Sequence, residues 1–160
     1  MTGGIVPAIS TCLWFDGQAL DAAEFYTAIF PNSRIDTVVR RPPSSPGGPD
    51  VLTVLFCLDG RPFLGLNGGP HFTFNESVSL IVACETQDEI DHYWSRLTDG
   101  GKESRCGWLK DRFGLSWQIV PALLPQLMQS GDAALVERVA QAFMKMTKFD
   151  LAALEAAAKG

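Results

Sequence analysis

One pattern runs through this chain twice, and it limits the architectures open to it. Residues 9–15 are almost wholly apolar, with β-branched Ile9 and Thr11 beside bulky Trp14 and Phe15, and read as a strand. Residues 20–30 place Leu20, Ala23, Tyr26 and Phe30 at helical spacing, and Pro31-Asn32 ends that helix. Three more extended runs follow, at residues 34–41, 51–58 and 62–66. The stretch P-P-S-S-P-G-G-P at 42–49 separates the first two as an exposed loop, and Asp59-Gly60 turns a hairpin between the last two. Then the order restarts. A strand at 77–84 precedes a helix at 87–98, which Gly100-Gly101 stops, and strands follow at 102–110 and 115–120. A short strand around 113–114 is expected to complete the second set. Aligning the two helices pairs Ala23 with Ile90, Tyr26 with Tyr93 and Phe30 with Leu97, so the repeat is one of pattern and not of identity. Strand–helix–strand–strand–strand, twice over, defines an α+β domain.

The most informative single stretch is C-G-W-L-K-D-R-F-G-L-S-W-Q-I-V-P, residues 106–121. It reads as two strands joined by a tight turn from Asp111 to Gly114. Gly114 suits a position with φ > 0, and the Asp111 carboxylate is placed to accept turn amides. On the following strand, alternation sets Ser116, Gln118 and Val120 on one face and Leu115, Trp117 and Ile119 on the other. A lone amide, Gln118, thus lies opposite a strongly apolar face. Lys110 and Asp111 are expected to pair with each other across the turn.

D-R-F-G-L-S-W-Q-I resembles the last strand of the glyoxalase/bleomycin-resistance family, the vicinal oxygen chelate superfamily, in which an Asp-x-x-Gly turn precedes a strand bearing a metal-binding Glu. W-F-D-G-Q-A-L-D-A-A-E-F-Y-T-A-I-F-P-N-S (residues 14–33), N-G-G-P (67–70) and the 106–121 stretch are similar to its PhnB-like branch, whose members often carry the label 3-demethylubiquinone-9 3-methyltransferase. The resemblance spans nearly the whole chain. It implies two βαβββ modules, residues 8–70 and 77–121, forming a cupped mixed sheet around a cavity within a domain of residues 1–122. It also implies a homodimer.

Residues 123–160 form a helical extension: a short helix at 123–129, a longer one at 133–146 with Leu135, Val136, Val139, Ala140, Phe143 and Met146 on a stripe, and a last one to residue 158 capped by Asp150. Such a stripe packs on its own domain or against another subunit, and both arrangements fit.

A net charge of −5 without a Lys/Arg cluster argues against nucleic acid as a partner. No apolar run approaches membrane length, and the N-terminus lacks a basic region followed by an apolar run. Cys12, Cys57, Cys84 and Cys106 show no C-x-x-C spacing and sit in apolar runs, which suits four buried thiols in a reducing cytoplasm.

Matched residue by residue to the metal-dependent members of the superfamily, the ligand positions fall near Thr11, Gly65 or Asn67, Ser79 and Gln118. None offers an imidazole or a carboxylate, so no metal or other cofactor is expected. His71 follows the fourth strand in a loop, and His92 lies inside the second helix as a structural residue. No G-x-S-x-G elbow and no G-x-G-x-x-G between strand and helix occurs, so neither a serine nucleophile nor a glycine-rich S-adenosylmethionine loop supports a methyltransferase. Polar Thr11, Asn67, Ser79 and Gln118, with aromatic Trp108 and Phe113, make a candidate ligand set for a small organic molecule. A non-catalytic binder, including one that sequesters an antibiotic, and a metal-independent lyase or isomerase need the same cavity, and both readings stand.

Overall fold

The computed structural model describes residues 9–45 and 47–160, so the short lead ending at Pro7 and the middle of the proline-glycine loop lie outside the described residues. In chain order the elements are β1 (Thr11–Phe15), α1 (Ala19–Ile29), β2 (Arg34–Arg40), β3 (Val51–Leu58) and β4 (Arg61–Asn67), then β5 (Ser79–Cys84), α2 (Gln87–Thr98), β6 (Lys102–Glu103), β7 (Trp108–Lys110) and β8 (Ser116–Pro121). Three helices close the chain, α3 (Leu123–Met128), α4 (Ala133–Phe143) and α5 (Leu151–Lys159). The chain divides into two compact units between Thr73 and Phe74. Each holds one βαβββ module of the glyoxalase/bleomycin-resistance fold, and the helical extension belongs to the second.

In the first unit the strand order is β1-β4-β3-β2, with β1 parallel to β4 and the other pairs antiparallel. Register decides the faces. Leu13 lies beside Gly65 and Phe15 beside Asn67, while Gly65 and Phe63 lie beside Val54 and Phe56. This face is buried under α1, whose Ala19, Ala22, Ala23, Tyr26 and Ile29 are equally buried. Tyr26 stacks on Phe56 with ring centroids 6.4 Å apart, and each such aromatic contributes about 1.5–3 kcal/mol through burial. Gly65 lets the helix approach closely, since a Cβ there would stand 3.2 Å from that of Ala19. The opposite face carries Cys12, Trp14, Leu55, Leu64 and Leu66, and Leu55 is exposed.

In the second unit the order is β5-β8-β7-β6, with β5 parallel to β8. The α2 helix starts from a capping box in which the Thr86 side chain accepts the Glu89 amide and the Glu89 carboxylate answers to the Thr86 amide. Its Ile90, Trp94 and Leu97 bury the face formed by Leu109, Trp117 and Ile119. Trp94, not Tyr93, is therefore the buried counterpart of Tyr26. A helix that enters with Ile90 down continues at i+4 and i+7, which leaves Tyr93 half-buried against His92 on the outer side.

The run at 102–110 is two strands and not one. Cys106 and Gly107 both take left-handed conformations, with φ of 56° and 77°, and reverse the chain between β6 and β7. The fourth strand of the module comes from this hairpin, whereas residues 113–114 sit in the turn that follows. Here too the tail docks. The Cys106 and Gly107 amides donate to the carbonyls of Met146 and Thr147 at 2.8 Å each, so α4 ends at Phe143, short of the expected 146. The Gln87 side chain, at the start of α2, donates to the Phe149 carbonyl and accepts the Leu151 amide. Phe149, Val139 and Leu154 are buried, so part of the α4 stripe is covered by its own unit. Asp150 caps α5 through the Ala153 amide. Of the four cysteines, Cys57 and Cys84 are buried and Cys106 half-buried, but Cys12 is exposed, because alternation turns it away from α1.

Candidate ligand site on the second sheet

The uncovered face of the second sheet is arranged in two rows set by register. Ser79, Ser116, Lys110 and Lys102 lie side by side across β5, β8, β7 and β6. One step along the strands, Ile81, Gln118 and Trp108 form the next row. The first row is polar and cationic; the second is apolar around one amide. Gln118 Nε2 donates to Ser79 Oγ at 2.9 Å, which joins the rows. Ile81 is 65% exposed, an unusual position for isoleucine in the middle of a strand.

At the cationic end the surface sinks into a cavity of about 470 Å³, lined among others by Glu76, Lys102, Arg105, Trp108, Lys110 and Ser116. Lys110 Nζ lies 2.7 Å from Glu76 Oε1. The hydrogen bond from Lys110 holds the Glu76 carboxyl below its ordinary value, aided by a backbone hydrogen bond. Lys110 is therefore engaged by Glu76, 34 positions upstream, while neighbouring Asp111 points into the turn. Asp111 Oδ1 accepts the Phe113 and Leu115 amides at 2.9 and 3.1 Å, and Oδ2 accepts the Trp117 indole N–H at 2.8 Å. Ser116 Oγ is fully buried and has no hydrogen-bond partner among the described residues.

The candidate residues separate into groups. Ser79, Gln118 and Trp108 come together on this one face. Phe113 lies half-buried in the Asp111 turn. Thr11 and Asn67, in the first unit, lie on the strand faces that turn towards α1. Asn67 is 2% exposed and both ends of its amide are engaged: Oδ1 accepts the Ala19 amide and Nδ2 donates to the Val51 carbonyl, each at 2.9 Å. It caps α1 from the sheet, in place of Gln18, whose side chain makes no cap. The glycines that follow it form a socket for an indole. A Cβ on Gly68 would sit 2.2 Å from the Trp14 ring, whose Nε1 donates to the Gly69 carbonyl, and Phe72 packs edge-on against it. His71 and His92 are exposed.

Ser116 and Lys110 join this face without belonging to the ligand set expected from the sequence. The alternation that singled out Gln118 places Ser116 on the same face, so that signal was present; nothing local shows that Glu76 returns to meet Lys110.

The family model for 3-demethylubiquinone-9 3-methyltransferase matches residues 7–120. The chain belongs to that family. Among solved structures, a PhnB protein from Bacillus cereus is 34% identical, covering 72% of this chain and 100% of its own, with a TM-score of 0.67. Protein PA1353 from Pseudomonas aeruginosa, 16% identical with a TM-score of 0.60, covers 72% of this chain and 97% of its own. The fosfomycin resistance protein FosX from Listeria monocytogenes, solved with Mn(II) and sulfate, is 12% identical with a TM-score of 0.56, covering 80% of this chain and 99% of its own. The last two show the fold alone. No curated protein matches significantly.

The donor set of this PhnB-like chain does not fit the metal of the superfamily. The uncovered faces of the strands concerned present Cys12, Trp14, Leu64 and Leu66 in one unit and Ser79, Ile81 and Gln118 in the other, with neither imidazole nor carboxylate. Among the described residues, no three His, Cys, Asp or Glu side chains gather closely enough to hold an ion. No helix among them is long and apolar enough to cross a membrane.

Proposed function

We propose that this PhnB-like protein binds a small organic molecule on the uncovered face of its second sheet, without a transition metal. The observation that carries the reading is the Ser79–Gln118 pair, a neutral hydrogen-bonding couple between exposed Ile81 and half-buried Trp108. Apolar walls with a few convergent polar groups are what recognition of a small molecule requires. Amide and hydroxyl oxygens at these positions suit hydrogen bonding and make poor ligands for zinc, nickel or iron.

Two measurements test this. Elemental analysis of protein purified without chelator is expected to find no stoichiometric transition metal, and near one equivalent of zinc, nickel or iron would overturn the metal-free reading. Mass spectrometry of extracts from denatured protein, run beside a Gln118→Ala control, is expected to reveal a small molecule carried by the wild type and depleted in the variant. Equal recovery from both would remove this face as the site.

The methyltransferase of the family description is not part of this proposal. The N-G-G-P loop is shaped around the Trp14 indole, and Asn67 is spent on α1, which leaves that loop without a nucleotide cradle. Calorimetric titration with S-adenosylmethionine is expected to give no binding; a micromolar dissociation constant would contradict it. The reading extends to a homodimer in a reducing cytoplasm, supported by the family resemblance and by four cysteines free of disulfides. Sedimentation showing a monomer at tens of micromolar, with no concentration dependence, would refute the dimer.

A further inference from the structure

We infer that the ligand of this face is an organic anion, its charged group seated at the Lys102–Lys110–Ser116 end and its apolar or aromatic body lying along Trp108 towards Ile81. The inference rests on the reading of the face as the ligand site and adds the chemical class. Three observations support it independently.

First, the cavity concentrates cations in a chain whose net charge is −5. Lys102, Arg105 and Lys110 line it against the carboxylates of Glu76 and Glu103. Glu103 keeps its charge while accepting the Trp94 indole N–H at 2.7 Å. Glu76 is the carboxylate paired with Lys110, reaching it from the loop before β5 with an exposed side chain. It occupies the place beside Lys110 that an anionic ligand would take.

Second, Ser116 Oγ lies fully buried, in register with Ser79 and Lys110, and has no hydrogen-bond partner among the described residues. A buried hydroxyl left unpaired is destabilising, and natural proteins keep few of them. Ser116 lies beside Lys110 in register and lines the same cavity as Glu76, so a ligand that displaced Glu76 would bring an oxygen atom to the side of the cavity that holds this hydroxyl.

Third, the two rows have the polarity of an amphiphilic ligand. The cations and hydroxyls share one register row, and the ring and aliphatic side chain share the next. An inorganic anion would use only the first row.

Phenyl phosphate, with phenol and inorganic phosphate as its two halves, is a suitable probe set. Titrations followed by NMR at the Trp108 indole N–H and the Ser116 and Gln118 amides read affinity and location together. Phenyl phosphate is expected to bind at least about tenfold tighter than either half, as a charge-assisted contact joined to ring burial should give. Glu76→Gln is expected to tighten it several-fold by releasing Lys110, and Lys110→Met to weaken it about tenfold. Ser116→Ala, checked by thermal melting for intact folding, is expected to weaken it less. Equal affinity for phenyl phosphate and phenol, an unchanged affinity in Lys110→Met, or weaker binding in Glu76→Gln would overturn the anion. Shifts at Trp108 with phenol and no gain from the phosphate would leave the small-molecule reading standing while removing the anion. Inorganic phosphate binding as tightly as phenyl phosphate would remove the organic body. No shift with any of the three would sink the anion, and the extraction experiment with Gln118→Ala judges the parent reading separately.

Discussion

Replacing Asp111 by alanine tests whether the turn between β7 and β8 is held by one buried carboxylate. Asp111 is 3% exposed and accepts three N–H groups, from the Phe113 and Leu115 amides and the Trp117 indole. The Leu115 and Trp117 bonds are buried, while the Phe113 bond is only partly so. Truncation would take this acceptor from two buried donors, each loss costing about 1–3 kcal/mol, and from one donor that water can reach. Against this stands the desolvation of a buried carboxylate, which the variant no longer suffers. A net loss of roughly 3 kcal/mol is expected. Asp111→Asn keeps an oxygen for the two amides but sets an NH₂ group against the indole N–H, so it should fall between wild type and alanine. Urea unfolding followed by circular dichroism, at constant m-value, measures both. Hydrogen exchange at the Trp117 indole should quicken in each. An alanine variant losing less than about 1 kcal/mol, or an asparagine variant as damaged as alanine, would refute the reasoning.

Gly107→Ala would force a Cβ to 2.4 Å from the Phe149 ring and 2.6 Å from the Ile119 carbonyl at a φ of 77°, and a loss of about 2–4 kcal/mol by thermal melting is expected. A variant within about 0.5 kcal/mol of wild type would show that the tail does not dock there. Thiol labelling of the native protein, read by mass spectrometry, should modify exposed Cys12 first, although partial desolvation raises that thiol. Cys84, pushed up to about 12 by burial and then by Glu89, should react only on unfolding, and early labelling would contradict its burial. In acid, the hydrogen bond from Lys148, then that from Gln87, keeps Asp91 below its ordinary value, and Lys110 does the same for Glu76. A lowered folded pKa means stabilisation that is present above the unfolded value, near about 4, and lost as pH falls through the folded one. Melting temperature should therefore hold down to about pH 5 and drop below it, more shallowly in Asp91→Asn; an identical slope would discount the Asp91–Lys148 link.

What the sequence determined by itself is what short-range periodicity and turn chemistry encode. The bounds of β3 and α2, the Asp150 cap, the Asp111–Gly114 turn and the faces of β8 could all be read locally. Each depends on residues within a few positions of one another, where backbone preference and side-chain spacing leave little choice. The β8 strand was legible because its polar and apolar residues alternate. For β1 and β4 the strands were legible but the inward face was not, because both of their faces are largely apolar. Which of Cys12 or Leu13 turns towards α1 is then decided by long-range packing, as Ala19 closes on Gly65 and Asn67 reaches the Ala19 amide. Tertiary structure likewise decided that Lys110 meets Glu76, that Ser116 is buried with no hydrogen-bond partner among the described residues, and that Met146 and Thr147 complete the hairpin of β6 and β7. These pairings join residues tens of positions apart. Their energy appears only once the second unit has folded, and no local pattern carries it.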